Sequence, residues 1–204
     1  MLVLVRHGEA TANAAGLLLG RSDVPLTDRG RAQAAALAPH VGTVVGLVSS
    51  PLRRALDTAA ALGCVPPVEV DARWVEVDYG EHEGRALDDV PAEVWRRWRH
   101  DAGYRPPGGE SLAGVGERVR AACEELFGTP GAGARSEEGD MVVVSHVSPI
   151  KAAVAWALGC GDELAWRLHL STGSVTRIGW GAAGPVLHSF NWEPDLAASP
   201  GVRP

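Results

Sequence analysis

Cysteine is scarce in this chain: Cys64, Cys123 and Cys160 are isolated, odd in number and form no CxxC pair. That pattern excludes a disulfide framework and reads as small core residues in a reducing cytoplasm. Basic runs are absent too. Lys+Arg number 19 against 25 Asp+Glu, a net charge of −6, so a phosphate polymer meets a repulsive field and nucleic-acid binding has no support. Long hydrophobic runs are missing. The apolar stretch at residues 1–5 turns charged at Arg6, too short for a signal-peptide core or a membrane span and the right length for a buried strand. No His/Cys/Asp cluster has metal-ligand spacing, so neither a metal nor another cofactor is expected. There is no internal repeat.

What remains is the composition of a folded chain. Hydrophobic residues make up 46 % and charged residues 22 %, close to the ~25 % charge of ordinary globular proteins. Gly 25 and Pro 14 together are about a fifth of the sequence, loop-rich but below the ~25–30 % of low-complexity chains. A length of 204 residues suits one domain over 1–204.

Along the chain, residues 2–5 form a β-favouring run, followed by a polar, glycine-containing loop from Arg6 to Arg29. Thr27-Asp28 offers an N-cap to an Ala-rich helix over 28–40. Residues 44–49 read as a second strand, with Pro51 at a first-turn position of a helix over 51–62. An extended stretch is expected over 68–77, helices over 91–100 and 110–127, and a mobile surface loop over 128–140. Residues 141–144 are a third strand with a helix over 149–158 behind it, 174–180 and 185–190 are late strands, and the tail from about 194 is flexible. Alternating strands and helices imply an α/β three-layer sandwich, a mostly parallel sheet with helices on both faces, and 81–130 as a small helical insert or cap. Functional groups of such a fold gather at the carboxyl ends of the strands.

Three apolar strands run directly into polar residues there: Arg6-His7-Gly8-Glu9, Ser49-Ser50-Pro51-Leu52-Arg53-Arg54 and Ser145-His146. If they are sheet neighbours, two histidines and at least two arginines converge. Arginine offers a planar fork for two phosphate oxygens and stays charged. A neutral imidazole can attack phosphorus while charged neighbours stabilise the developing oxyanion. Gly8 would let the backbone pass close to the phosphate.

Residues 6–13 (RHGEATAN) resemble the RHG signature of the histidine phosphatase superfamily, also called phosphoglycerate-mutase-like. Residues 49–59 (SSPLRRALDTA) are similar to its second block and Ser145-His146 to its third; residues 20–30 and 76–84 resemble further stretches. The resemblance covers roughly 2–160 and implies roles. His7 matches the nucleophile that becomes a phosphohistidine. Arg6 and Arg54 match the arginines that clamp the phosphoryl group, and His146 a protonated second histidine. Asn13 matches a phosphate-contacting amide, and Glu76 the proton donor to the leaving oxygen, for which a raised pKa is useful. Asp78 and Glu81 are the competing carboxylates. Arg21 either meets a second anionic group of the substrate or makes a loop ion pair. Arg53 reads as solvated and Glu83 as structural. Val147-Ser148 departs from the glycine common in relatives.

The short stretch after Gly84, ending in Pro106-Pro-Gly-Gly-Glu-Ser111, resembles the phosphatase branch, with broad-specificity acid phosphatases and α-ribazole phosphatases. Residues 145–151 resemble actinobacterial acid phosphatase domains fused to ribonuclease H. The expectation is a cytoplasmic, metal-independent phosphatase of small phosphorylated metabolites, with no nucleic-acid or membrane partner; a homodimer is compatible with it. A cofactor-dependent phosphoglycerate mutase is the alternative, and a non-catalytic phospholigand-binding domain the second. Loops 15–25 and 81–112 are where substrate choice is expected.

Overall fold

The structure is a computed structural model that describes residues 1–63, 66–127 and 139–196. Cys64, most of the expected loop over 128–140 and the end of the tail lie outside the described residues. Six strands form one sheet: β1 Leu2–Arg6, β2 Val44–Ser49, β3 Val68–Val70, β4 Asp140–Ser145, β5 Val175–Gly181 and β6 Gly184–Trp192. Their order is β3-β2-β4-β1-β5-β6. The three pairings from β3 to β1 are parallel, and β5 and β6 add antiparallel strands at one edge. The helices are α1 Thr11–Ala14, α2 Asp28–Leu37, α3 Arg53–Ala61, α4 Ala92–His100, α5 Leu112–Phe127 and α6 Val147–Ala157.

Alternation along the central strands decides the layers, because successive side chains of a strand point to opposite faces. Leu2 and Leu4 of β1 join Val143 of β4 in a core with Val115 and Val119 of α5 and Ile150 and Ala153 of α6. Val3 and Val5 join Val142 and Val144 in a second core with Leu37 of α2 and Ala55 and Ala59 of α3. The sheet is therefore covered on both faces, as its continuous apolar strands require. A third, smaller cluster of Leu18, Val90 and Trp98, with Tyr79, Trp95 and Tyr104 against it, lies under α4.

Several elements differ from the sequence reading. The extended stretch over 68–77 stops at Val70. The Asp71 carboxylate accepts the Arg73 N–H at 2.8 Å and caps a 3-10 turn Ala72–Trp74, which delivers Trp74 into the core fully buried. The loop after β1 contains α1, one turn whose start is tied by Ala10 N–H donating to Asn13 Oδ1 at 3.0 Å. Helix α6 starts at Val147, with Pro149 in its first turn, where a missing N–H costs nothing. Helix α5 is part of a covering layer, since its apolar stripe belongs to the main core. The segment outside the layers is 80–111.

Candidate active site

The ladder hydrogen bonds persist one residue beyond the strands. His7 N–H donates to the Ser145 carbonyl and Ser50 N–H to the Val144 carbonyl, both at 3.0 Å. This aligns His7, His146 and Ser50 along the carboxyl edge of β1, β4 and β2. The His7 and His146 rings are 5.0 Å apart between centroids, inclined at 57°, and both are buried.

The partners fix the tautomers. His7 Nδ1 lies 2.7 Å from the Gly8 carbonyl, which only accepts, so Nδ1 carries the proton and Nε2 keeps its lone pair. Arg54 Nε–H points at that lone pair, 3.3 Å from His7 Nε2, and also at His146 Nδ1 at 3.2 Å. His146 therefore carries its proton on Nε2 and donates it to Ser50 Oγ at 2.7 Å. Both rings are neutral. Burial holds His7 well below 6.5, with Arg6 and Arg54 adding to the effect. Burial also lowers His146, helped by His7, Arg54 and Arg6. Among so many cations, the protonated His146 that the resemblance implies would need a phosphate dianion to offset the balance.

Arg54 is fully buried and its bonding partners are neutral. Besides the two rings, it donates to the Ser22 carbonyl at 2.8 Å and the Gly20 carbonyl at 2.6 Å. Burial lowers its pKa, while Glu76, Glu83 and Asp23 act against that. Arg6 donates to the Leu170 carbonyl at 2.5 Å, and its buried Nε has no partner. Burial brings Arg6 down to about 10, and Glu76 opposes the shift. Two guanidiniums desolvated without an ion pair are expensive to hold unless an anion joins them.

Of the three carboxylates, Glu76 is the buried one. Its oxygens accept N–H groups from Val77 at 2.8 Å, Val147 at 3.0 Å and Ser148 at 3.1 Å. Two of these are first-turn donors of α6. The backbone N–H groups of Val147 and Ser148, which glycine would offer equally, are thus both spent on Glu76. Asp78 instead caps the Gly80 N–H, and Glu81 is exposed.

Asn13 spends its oxygen on the cap of α1, and no hydrogen bond joins it to the two rings or arginines. Arg21 makes the loop ion pair: its Nε donates to the Glu76 carbonyl at 3.3 Å and its Nη2 to Glu110 at 3.1 Å. Arg53 is exposed and pairs with Asp57 at 3.5 Å. Gly8 is required by a backbone contact. A Cβ there would sit 2.2 Å from the Gly30 carbonyl oxygen, so the close approach is to backbone.

Glu83 is structural, yet it bears on the site. Its carboxylate accepts Gly20 N–H at 2.9 and 3.0 Å and Ser22 N–H at 3.0 Å, holding the very residues whose carbonyls grip Arg54. Ser50 was visible in the second motif block, but only its contact with His146 gives it a role.

The profile of the Histidine phosphatase superfamily (branch 1) matches residues 2–193. The chain belongs to the histidine phosphatase superfamily. Among its superfamily relatives, a bifunctional protein of Mycobacterium tuberculosis is 37 % identical over 184 residues, covering 86 % of this chain and 49 % of that protein. This chain thus spans about half the length of that relative. A probable phosphoglycerate mutase of Yersinia enterocolitica is 33 % identical over 199 residues, 91 % of this chain and 90 % of the relative. Among solved structures, a mycobacterial glucosyl-3-phosphoglycerate phosphatase complexed with VO3 superposes with a TM-score of 0.81 at 32 % identity, covering 94 % of this chain and 99 % of that one. The sheet-edge site described above is the one this histidine phosphatase chain builds from the residues its motifs contain.

Proposed function

We propose that the chain hydrolyses small phosphate monoesters through a phosphohistidine on His7. The observation that carries this reading is the Nε2 lone pair of a buried, neutral His7 facing two guanidiniums that lack an anionic partner. In the first step Nε2 attacks phosphorus, an N–P bond forms and the ester P–O bond breaks. The Glu76 carboxyl passes its proton to the departing alcohol oxygen. In the second step water attacks phosphorus, the N–P bond breaks, and Glu76 takes the water's proton. Arg6, Arg54 and His146 hold the transferring oxygens throughout, with Asn13 as an additional amide donor. Neither step calls for a metal. The net charge of −6 fits single small metabolites as substrates, in a cytoplasmic setting.

The identity to a probable phosphoglycerate mutase favours a second reading, in which the phosphoryl group returns to a phosphoglycerate instead of water. The same experiment separates the two and the non-catalytic reading. Hydrolysis of 4-nitrophenyl phosphate is followed with chelator present, for the native chain and for His7→Ala. Phosphate release by the native chain, reduced about 1000-fold or more in the variant, is the expected result. No release by either, with interconversion of phosphoglycerates instead, would put the mutase in its place; silence in both assays would leave a binding domain.

A further inference from the structure

Beyond Glu76, away from His7, the structure holds a cavity of about 210 Å³. Leu18, Leu87, Trp95, Trp98, Leu112 and Trp166 are half of the residues that line it. The rings support one another edge-on: Tyr79 and Trp98 are 5.6 Å apart at 82°, Trp95 and Trp166 6.2 Å apart at 85°. Polar atoms along the wall are already engaged. Trp166 Nε1 donates to the Trp98 carbonyl at 2.9 Å, and the Tyr79 hydroxyl bonds with Ser148.

The cavity shares a wall with the reaction site. Val77, Val147 and Ser148 line it, and these are the three residues whose N–H groups hold the Glu76 carboxylate. The cavity therefore lies one residue away from Glu76, on the far side of the residues whose N–H groups hold its carboxyl group.

One charge faces the cavity. Lys151, the single lysine of the chain, lines it. It is half-buried, donates to the Ala165 carbonyl at 2.9 Å, and forms no ion pair among the described residues. Burial lowers its pKa, an effect Glu76 opposes and Arg6 reinforces. An ammonium has three donors, so two remain for a ligand. A cation held beside indole and leucine surface is matched by an anionic group on an otherwise apolar ligand.

We propose that this cavity seats the alcohol part of the substrate, and that this part is a single flat, apolar ring, aromatic in the simplest case, bearing a carboxylate that meets Lys151. The size agrees: a closed apolar cavity of ~150 Å³ holds one benzene ring, and 210 Å³ adds room for a carboxyl group. A polyhydroxylated alcohol fits the lining poorly, because its hydroxyls would face leucine and indole carbon with no partner. This assignment rests on the phosphatase reading above.

The test compares kcat/KM of the full chain for esters whose leaving alcohols are of similar acidity: benzyl phosphate, 3- and 4-carboxybenzyl phosphate, glucose 6-phosphate and glycerol 1-phosphate. Turnover of 4-nitrophenyl phosphate, lost in His7→Ala, reports the phosphoryl chemistry independently. Benzyl phosphate should exceed both polyhydroxylated esters, and the better carboxybenzyl isomer should exceed benzyl by about tenfold, the scale of one charge-assisted hydrogen bond. Lys151→Met should erase that carboxyl preference and Lys151→Arg should retain most of it. Faster turnover of glucose 6-phosphate or glycerol 1-phosphate than of benzyl phosphate overturns the assignment of the cavity, and the native chain alone suffices to see it. A carboxyl preference that survives Lys151→Met overturns the role of the lysine. Absence of 4-nitrophenyl phosphate turnover overturns the phosphatase reading and this one with it.

Discussion

The floor of the site and the wall above it are built by opposite means. On the floor, at the ends of β1, β2 and β4, each ring nitrogen of His7 and His146 has a polar partner and the buried arginines meet carbonyls and imidazoles. In the wall over 80–111, which includes α4, rings pack against rings: Tyr79, Trp95 and Tyr104 all meet Trp98. Directional bonds fix atoms to within a fraction of an ångström, as a reacting phosphorus needs. Ring-to-ring packing tolerates changes of shape. The contrast fits the proposed division, with reaction chemistry on the floor and substrate choice in the wall.

The largest expected effect breaks the floor. In Arg54→Lys an ammonium replaces a fork that reaches Gly20, Ser22 and both histidines at once, and it cannot serve all four. kcat/KM should fall about 1000-fold by a similar factor for every ester assayed. A loss confined to some esters would erase the division between floor and wall.

Glu76→Gln acts at the boundary and should give the next largest effect. Turnover of alkyl phosphates should drop about 100-fold, since their leaving oxygens need a proton. Turnover of 4-nitrophenyl phosphate should fall far less, because nitrophenolate leaves unaided. Equal slowing of both ester types would remove Glu76 as the proton donor.

The smallest effect is one of pH and belongs to the floor alone. His7 and His146 are held below 6.5 when folded, so below about pH 6.5 the unfolded chain binds more protons than the folded one. Stability then declines as pH falls, by about 1.4 kcal/mol per unit for each such histidine, until the folded values are reached. Urea unfolding at pH 6.5 and 5.5 should show the native chain losing about 1 kcal/mol more than His7→Asn. Equal losses would mean that His7 is not kept neutral by the fold.

The strands were legible because the continuous apolar run over residues 2–5 and the runs ending in RH, SS and SH have strand length and their own punctuation, and an unbroken apolar strand implies cover on both faces. The pairing of His7 with Arg54 and His146 was legible through the motif resemblance and the expectation that strand ends converge. The failures have physical causes. The four residues of α1 are too few for a helical period. The end of β3 depends on Asp71 capping a turn, and Trp74 in an extended reading looks like any β-former. That burial, His7, Arg54 and Arg6 push His146 toward its neutral form in the absence of phosphate appears only when distances are known. Glu83 works through the backbone of Gly20 and Ser22, and no spacing in the chain records that.

The contact between Gly8 and Gly30 has a mechanical meaning. A Cβ on Gly30 would come within 2.0 Å of the Glu9 carbonyl oxygen, just as one on Gly8 would strike Gly30. Around this contact, Glu9 N–H donates to Gln33 at 2.8 Å and Thr27 donates to Glu9 at 2.8 Å. Gln33 reaches on to Thr172, whose neighbour Gly173 donates to the His7 carbonyl at 3.0 Å. The segment carrying the nucleophile and the first turns of α2 are thus clamped into one body with no slack between them. A tilt of α2 is transmitted to His7 directly, so a surface perturbation on that helix is felt as a displaced imidazole before it is felt as a loosened fold.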